Sequence, residues 1–286
     1  MKFAHDELKN VENCPWCSHD QYTEEYSNEN GCKVVRCNNC GLVYSTKVLN
    51  EKGINNYWNN YTNKLHMADT KLADDRVKMY QLEYDFISKF IKKRDNSILD
   101  IGCSRGMFLD FFHNNDNVCY GIEIDEVAAA IAKKKYTVWT QDICKLKIEQ
   151  KFDLIIMRGT IQYFLDPRKT FEKIVSLLNE KGIIYITSSP NADSLCFKLF
   201  KEKFSVPVGE TDYYAFNRNV IEAFMNDNKI NLLTDYCFYE TTPYADIKKD
   251  IVRVADAIQK QEKGEKIEQK SPPFYNNMLT LVFKKD

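Results

Sequence analysis

From residue 97 onward, short apolar runs alternate with amphipathic stretches of helical period. Residues 97–102 (SILDIG), 117–125 (NVCYGIEID), 136–143 (YTVWTQDI), 152–159 (FDLIIMRG) and 182–190 (GIIYITSSP) read as five strands. Between them, Met107–His113, residues 126–135 (EVAAAIAKKK) and residues 166–182 (DPRKTFEKIVSLLNEKG) read as helices. The last has Asp166 ahead of Pro167 at its start and Gly182 after its end, the residues that favour a helix beginning and a helix end. Residues 219–228 predict another helix and residues 231–240 a sixth strand. Asp246 to Gln269 predicts a charged helix with an apolar stripe at Ile247, Ile251, Val254 and Ile258, and residues 277–285 (NMLTLVFKK) a last strand. Strands that alternate with helices imply an α/β fold with a doubly wound, mostly parallel sheet of seven strands, the two late ones forming an antiparallel edge. Ahead of residue 97, apolar positions from Leu72 to Phe90 suggest one or two amphipathic helices. The asparagine- and tyrosine-rich 55–64 (NNYWNNYTNK) looks like a loop, and the first 45 residues look like short extended stretches. The expected organisation is therefore 1–45, a linker and lid at 46–95, and a main domain at 96–286 with a helical insertion near 243–270.

The chain has 286 residues, of which 44% are hydrophobic and 28% charged, a globular composition. Lysine and arginine (40) nearly balance aspartate and glutamate (41), so bulk charge gives no pull toward a polyanion and argues against a nucleic-acid partner. No apolar run is long enough to span a bilayer, and MKFAHDELKN has no secretory pattern. These features lead us to expect a cytoplasmic protein. Four of the ten cysteines form two C-x-x-C pairs, Cys14/Cys17 and Cys37/Cys40, at the spacing of a zinc ribbon; in a reducing compartment, metal binding is the better reading than disulfides. Four thiolates leave no open coordination position, so the zinc is expected to be structural, with Cys32 the nearby competitor ligand.

The turn Asp100-Ile-Gly102-Cys-Ser-Arg-Gly106 ends the first strand of the alternating region, where a ligand of a wound sheet sits. It lacks the glycines of G-x-G-x-x-G. It does spell G-x-S-x-G, but the only later histidine, His113, lies in the following helix and cannot complete a triad. The D-x-G-x-x-x-G pattern resembles the cofactor turn of class I S-adenosylmethionine-dependent methyltransferases, a Rossmann-like family, and most of the chain from about residue 57 shares the family's motif order. The resemblance implies S-adenosylmethionine as cofactor, with Asp100, Gly102 and Gly106 holding its methionine end. It implies that Glu123, about twenty residues on, accepts from the ribose hydroxyls, that Ile124 packs on the adenine, and that Asp142 and Ile143 meet the adenine amino group. Arg158 closes the fourth strand as a further cofactor candidate, and Tyr61 is the candidate lid.

Many relatives carry a glutamate–histidine pair before the Asp166-Pro167 step. Gln162 and Tyr163 stand there instead, which leaves Tyr163 as the candidate catalytic residue, orienting the acceptor through its hydroxyl. Tyr57 and His66, together with Glu210, Tyr213 and Tyr214 of 208–217 (VGETDYYAFN), are further candidates, the latter as a polar, aromatic acceptor wall suited to a sugar. The expected function is methyl transfer to a small-molecule or carrier-linked acceptor, such as a sugar, surface-glycan or secondary-metabolite precursor. An RNA methyltransferase whose ribbon reads RNA is the alternative, though residues 19–31 (HDQYTEEYSNENG) are acidic. A non-catalytic S-adenosylmethionine-binding protein is the third reading.

Overall fold

The computed structural model describes residues 3–28, 30–65 and 70–286, and gives the backbone alone at 59–65 and 70–73. The N-terminal part holds β1 (Leu8–Asn10), β2 (Tyr22–Ser27), β3 (Lys33–Cys37), β4 (Val43–Ser45) and β5 (Lys47–Leu49). Helices α1 (Glu51–Leu65) and α2 (Thr70–Ile87) follow. The alternating region comprises β6 (Ser97–Ile101), α3 (Met107–His113), β7 (Val118–Ile122), α4 (Glu126–Ala132), β8 (Thr137–Trp139), β9 (Phe152–Arg158), α5 (Pro167–Ser176) and β10 (Leu178–Pro190). The remainder is α6 (Leu195–Phe200), β11 (Tyr214–Ala215), α7 (Arg218–Asp227), β12 (Ile230–Asp235), α8 (Ile247–Glu262) and β13 (Met278–Lys285).

The main sheet has seven strands in the order β12-β13-β10-β9-β6-β7-β8. Strands β6 to β10 are parallel, and β13 runs antiparallel between β10 and β12. The chain winds outward from β6 to β8, then returns to the other side with β9. The order therefore reverses between β6 and β9, which places a crevice beyond their carboxyl ends. Both strands are buried on both faces, as their unbroken apolar runs require.

A second sheet, β11-β4-β3-β2, joins the N-terminal segment to the stretch that follows α6, because β11 pairs with β4 through Tyr214↔Tyr44 and Ala215↔Val43. The cysteine-bearing segment thus shares a core with the main fold. Trp16, between Cys14 and Cys17, meets Phe171, Phe216 and Phe224 edge-on at 5.2–5.4 Å, and the Arg168 guanidinium lies over its ring.

Several expectations give way. Residues 55–64 belong to helix α1, since Asn50 turns the chain by accepting from Gly53 and tertiary contacts of Ile54 and Tyr57 with the core outweigh weak local propensity. Helix α5 stops at Ser176, because Leu178 already pairs with Phe152 of β9. Helix α8 ends at Glu262, ahead of Gly264 in the left-handed region. Its buried face is Asp250, Val254 and Ala257; of the expected stripe Ile247, Ile251 and Ile258 are exposed, because Asp250 turns inward to the Tyr239 hydroxyl.

The Trp16 contacts make the cysteine segment and the main core one cooperative unit. Trp16→Ala should lower stability by about 3–5 kcal/mol in urea unfolding, and a loss below about 1 kcal/mol would contradict that coupling.

Candidate active site

Asp100 is the fourth residue of β6 and Gly102 opens the turn that follows. Gly102 sits at φ +82°, and a Cβ there would lie 2.5 Å from Thr160 Oγ1, so only glycine fits. Its N–H and that of Cys103 reach Ile122 O of β7 at 2.7 and 3.1 Å, which fixes the turn beside the second strand. Gly106, at φ +80°, lets the chain enter α3; a Cβ on it would meet the Tyr136 ring at 2.8 Å. It supports the turn from behind and is not among the crevice-lining residues.

The crevice, about 260 Å³, is lined by Asp100, Gly102, Ser104, Glu123, Ile124 and Arg158, with Trp58, Arg76, Tyr80 and Tyr163 on its outer side. Asp100 is 3% exposed and its Oδ1 has no hydrogen-bond partner. Burial pushes its carboxyl up to about 7, with Arg158 pulling the other way and Glu123 and Glu83 adding repulsion. Glu123 accepts from the backbone N–H of Ser104 in the turn through Oε2 and from that of Asp125, at the start of α4, through Oε1, each at 2.8 Å, so each oxygen is held by one backbone donor. Burial raises this carboxyl too, and the backbone bonds oppose that shift.

A second cavity, about 470 Å³, shares Trp58, Ile124 and Tyr163 with the crevice and includes Asp142, Lys145 and Tyr213. Asp142 lines this cavity, and its Oδ1 also caps the following turn by accepting from Cys144 N at 2.7 Å. Ile143 is 4% exposed within the core and does not reach the cavity wall. Its side chain faces the sheet because the short helical turn at Ile143–Lys145 points it inward. Tyr61 and His66 lie outside the described side chains.

Arg158 is bound by a group that the sequence reading missed. Glu83 of α2 is fully buried and accepts from Arg158 Nε at 2.5 Å, Ser188 Oγ at 2.9 Å and Thr187 Oγ1 at 3.3 Å. Burial opposes the Arg158 charge, and Glu83 outweighs it, so the guanidinium is held even more firmly protonated. Ser188 occupies a bulge of β10 with φ +55°, which aims its hydroxyl at Glu83. No local pattern marks Glu83, since its partners lie 75 and 105 positions away. Arg76, on the same helix, supplies the crevice with a second cation.

Residues 208–217 also differ from expectation. Tyr213 lines the second cavity, whereas Tyr214 is buried at the junction with β4, and Glu210 turns away to accept from Asn28 Nδ2 at 2.8 Å and Asn30 Nδ2 at 3.0 Å. The segment is a plate between the two sheets, with only one of the three expected side chains on a cavity.

The four cysteines converge. Cys14 and Cys17 precede β2, Cys37 ends β3 and Cys40 follows it; their sulfurs all lie within 4.8 Å of one another. Cys14–Cys40 and Cys17–Cys37 are 3.6 and 3.5 Å apart. Ligands about 2.3 Å from a tetrahedral ion would stand about 3.8 Å apart, so the set fits a four-sulfur metal site. Cys32 is turned away onto Ser45 Oγ at 2.9 Å.

The crevice also fits S-adenosylmethionine. The orphaned Asp100 oxygen suits the ammonium of its methionine end, Glu123 the ribose diol, and Arg76 the carboxylate. Because the bound ammonium favours ionised Asp100, binding must expel a proton below about pH 7, the value to which Asp100 is raised. Calorimetric affinity should therefore weaken by up to about tenfold per pH unit below that point. Asp100→Asn should bind more weakly with a flatter pH dependence; an unchanged slope in the variant would contradict the assignment.

Comparison with known proteins identifies the family and the fold. A family model described as "Methyltransferase domain" matches residues 68–228, more than half of the chain. A malonyl-[acyl-carrier protein] O-methyltransferase of Priestia megaterium is 25% identical over 171 residues, which cover 56% of this chain and 60% of that protein. Magnesium protoporphyrin IX methyltransferase from Synechocystis, solved with bound S-adenosylhomocysteine, superposes with a TM-score of 0.55 at 14% identity, over 83% of this chain and all of that one (100%). A methyltransferase from Thermotoga maritima gives 0.51 at 15% identity, over 81% of this chain and 99% of its own. The chain belongs to the methyltransferase-domain family and has the class I fold of S-adenosylmethionine-dependent enzymes.

Proposed function

We propose that the protein methylates a small-molecule or carrier-linked acceptor, with a sugar, surface-glycan or secondary-metabolite precursor as the preferred class. The observation that carries this reading is a third cavity of about 300 Å³ that shares Arg158 with the donor crevice. Phe238, Tyr239, Tyr244 and Phe274 wall it, and Thr187, Ser188 and Asn277 give it polar points. Aromatic faces pack on the C–H groups of a ring, and hydroxyls orient it. Asn277 is 3% exposed with its Oδ1 lacking a donor, which an acceptor hydroxyl or amide would supply. A carrier-linked acceptor draws support from the Priestia relative, whose name specifies one.

When bound, S-adenosylmethionine supplies an activated methyl group. The chain's own residues then hold the donor (Asp100, Gly102, Glu123, Ile124, Asp142, Arg76) and keep water out (Trp58, Tyr80), while Tyr163, on the wall of the donor crevice, is the candidate to orient the acceptor's reacting group where it meets the methyl. Such positioning and exclusion are effective for an in-line displacement. An RNA acceptor would need a cationic track, yet strand β2 presents Glu24 and Glu25, which pair with Lys33 and Arg36.

Residues 1–45 act, in this reading, as a structural zinc ribbon, 46–95 as a linker and lid, and 96–286 as the transferase domain. A reduced four-cysteine metal site suits the cytoplasm. None of the helices among the described residues is long and apolar enough to cross a membrane.

Methyl-labelled donor incubated with the protein and fractionated cell extract should label a small-molecule or carrier fraction, and Asp100→Ala should abolish the label. Label confined to RNA would support the alternative, and no label at all would support a binding protein. Metal analysis should find one zinc per chain, as one four-cysteine set requires. Cys37→Ser should lose the zinc; a metal-free, fully folded wild type would contradict the ribbon.

A further inference from the structure

Arg158 lines both the donor crevice and the aromatic chamber, so its side chain stands where the two cavities meet. Three contacts hold it there. Nε donates to Glu83 at 2.5 Å, the guanidinium carbon lies 4.6 Å from the centre of the Tyr80 ring, and the backbone pairs in register with Thr187 of β10. Glu83 is engaged at both oxygens: Oε2 accepts from Arg158, and Oε1 accepts from the hydroxyls of Thr187 and Ser188. Because the bond to Glu83 uses Nε, Nη1 and Nη2 of Arg158 have no acceptor among the described residues.

This group sets the charge of the chamber. The other ionisable side chains on its wall, among the described residues, are Tyr239 and Tyr244. Burial pushes both phenols up, and the Tyr239 hydroxyl already donates to Asp250 Oδ2 at 3.1 Å. Both phenols are therefore neutral near pH 7, while Glu83 keeps Arg158 protonated. The chamber thus offers an anion two free N–H-bearing nitrogens at the end that adjoins the donor crevice, and aromatic walls behind them.

We propose that the acceptor's reacting group is a carboxylate held by Nη1 and Nη2 of Arg158, that Glu83 is the positioning residue which fixes the guanidinium, and that the product is a methyl ester. This rests on the methyl-transfer reading and names the nucleophile within it. A guanidinium matches a carboxylate with two parallel N–H bonds. One arginine, already paired with Glu83, suits the single charge of a carboxylate better than the double charge of a phosphate monoester. A carboxylate oxygen forms a bond to the methyl carbon as the carbon–sulfur bond breaks, and that bond's electron pair stays on sulfur. No proton moves. The carboxylate and the sulfonium, with one charge each, become a neutral ester and a neutral thioether. Phe238, Tyr244 and Phe274 take the body of the acid, and a hydroxyl on it, as in an acidic sugar, reaches the unpartnered Asn277 Oδ1.

The test uses methyl-labelled donor and the extract fraction that accepts label. Mild alkali cleaves a methyl ester and releases labelled methanol, whereas methyl ethers, N-methyl and C-methyl products keep their label. The wild-type product should lose its label as methanol; alkali-stable label overturns the proposal and leaves the methyl-transfer reading intact. Removal of Arg158 alone would strand a buried Glu83, so the informative variant combines Glu83→Gln with Arg158→Gln, in which both charges leave together. It should need about 30-fold more of the acceptor fraction for half-maximal rate, while calorimetric affinity for S-adenosylhomocysteine stays within about threefold. An unchanged acceptor requirement overturns the proposal, as does a loss confined to donor affinity. A second measurement needs no turnover: saturation-transfer NMR of phenylacetate and phenylacetamide with S-adenosylhomocysteine present. The wild type should bind the acid at least about tenfold more tightly than the amide, and the double variant should show no preference. Equal binding by the wild type, or a preference that survives in the double variant, overturns the proposal. Absence of any transfer by the wild type would defeat the methyl-transfer reading instead, and the acid–amide pair would then decide the carboxylate site by itself.

Discussion

The site depends on a carboxyl group that folding buries without satisfying. Asp100 lies near the carboxyl end of β6, beside the point where the strand order reverses, 3% exposed and with one oxygen lacking any partner. Such a group costs stability on the order of 1–3 kcal/mol, and the sheet tolerates it only because surrounding strands hold its backbone. A ligand that brings a cation to that oxygen recovers the loss. The Gly102 turn keeps the approach open, and Thr160 fills the space a side chain would take.

Around this carboxyl the charges are ordered by long-range contacts. Glu83 holds Arg158 between the donor crevice and the aromatic chamber, and the same carboxylate gathers Thr187 and Ser188 at the β10 bulge. Helix α2 therefore sets the spacing between the two cavities as well as covering the crevice. The cysteine segment has an analogous effect on the other side. Its strand β4 pairs with β11, its Asn28 engages Glu210, and its Ser45 engages Tyr213. A metal held by four sulfurs would thus stabilise the loop behind Tyr163 without approaching the chemistry.

What the sequence made legible was local. The Asp100–Gly106 turn, Glu123 at the end of the second parallel strand, and the two cysteine pairs each lie within a few residues, where spacing and backbone demands coincide. The strand–helix alternation was readable because buried parallel strands need continuous apolar runs. Glu83 was not readable, since its role exists only through partners brought from distant segments. Residues 55–64 and the outer face of α8 were misread for a related reason: asparagine-rich sequence was made helical by packing, and the inward turn of Asp250 displaced the isoleucines from the core-facing side.

The most direct test is a crystal structure with S-adenosylhomocysteine soaked into the protein. The account predicts its ammonium at Asp100 Oδ1, its ribose hydroxyls on Glu123 and its adenine between Ile124 and Asp142. A ligand lodged elsewhere, or a crevice in which Asp100 keeps no contact with it, would contradict the account.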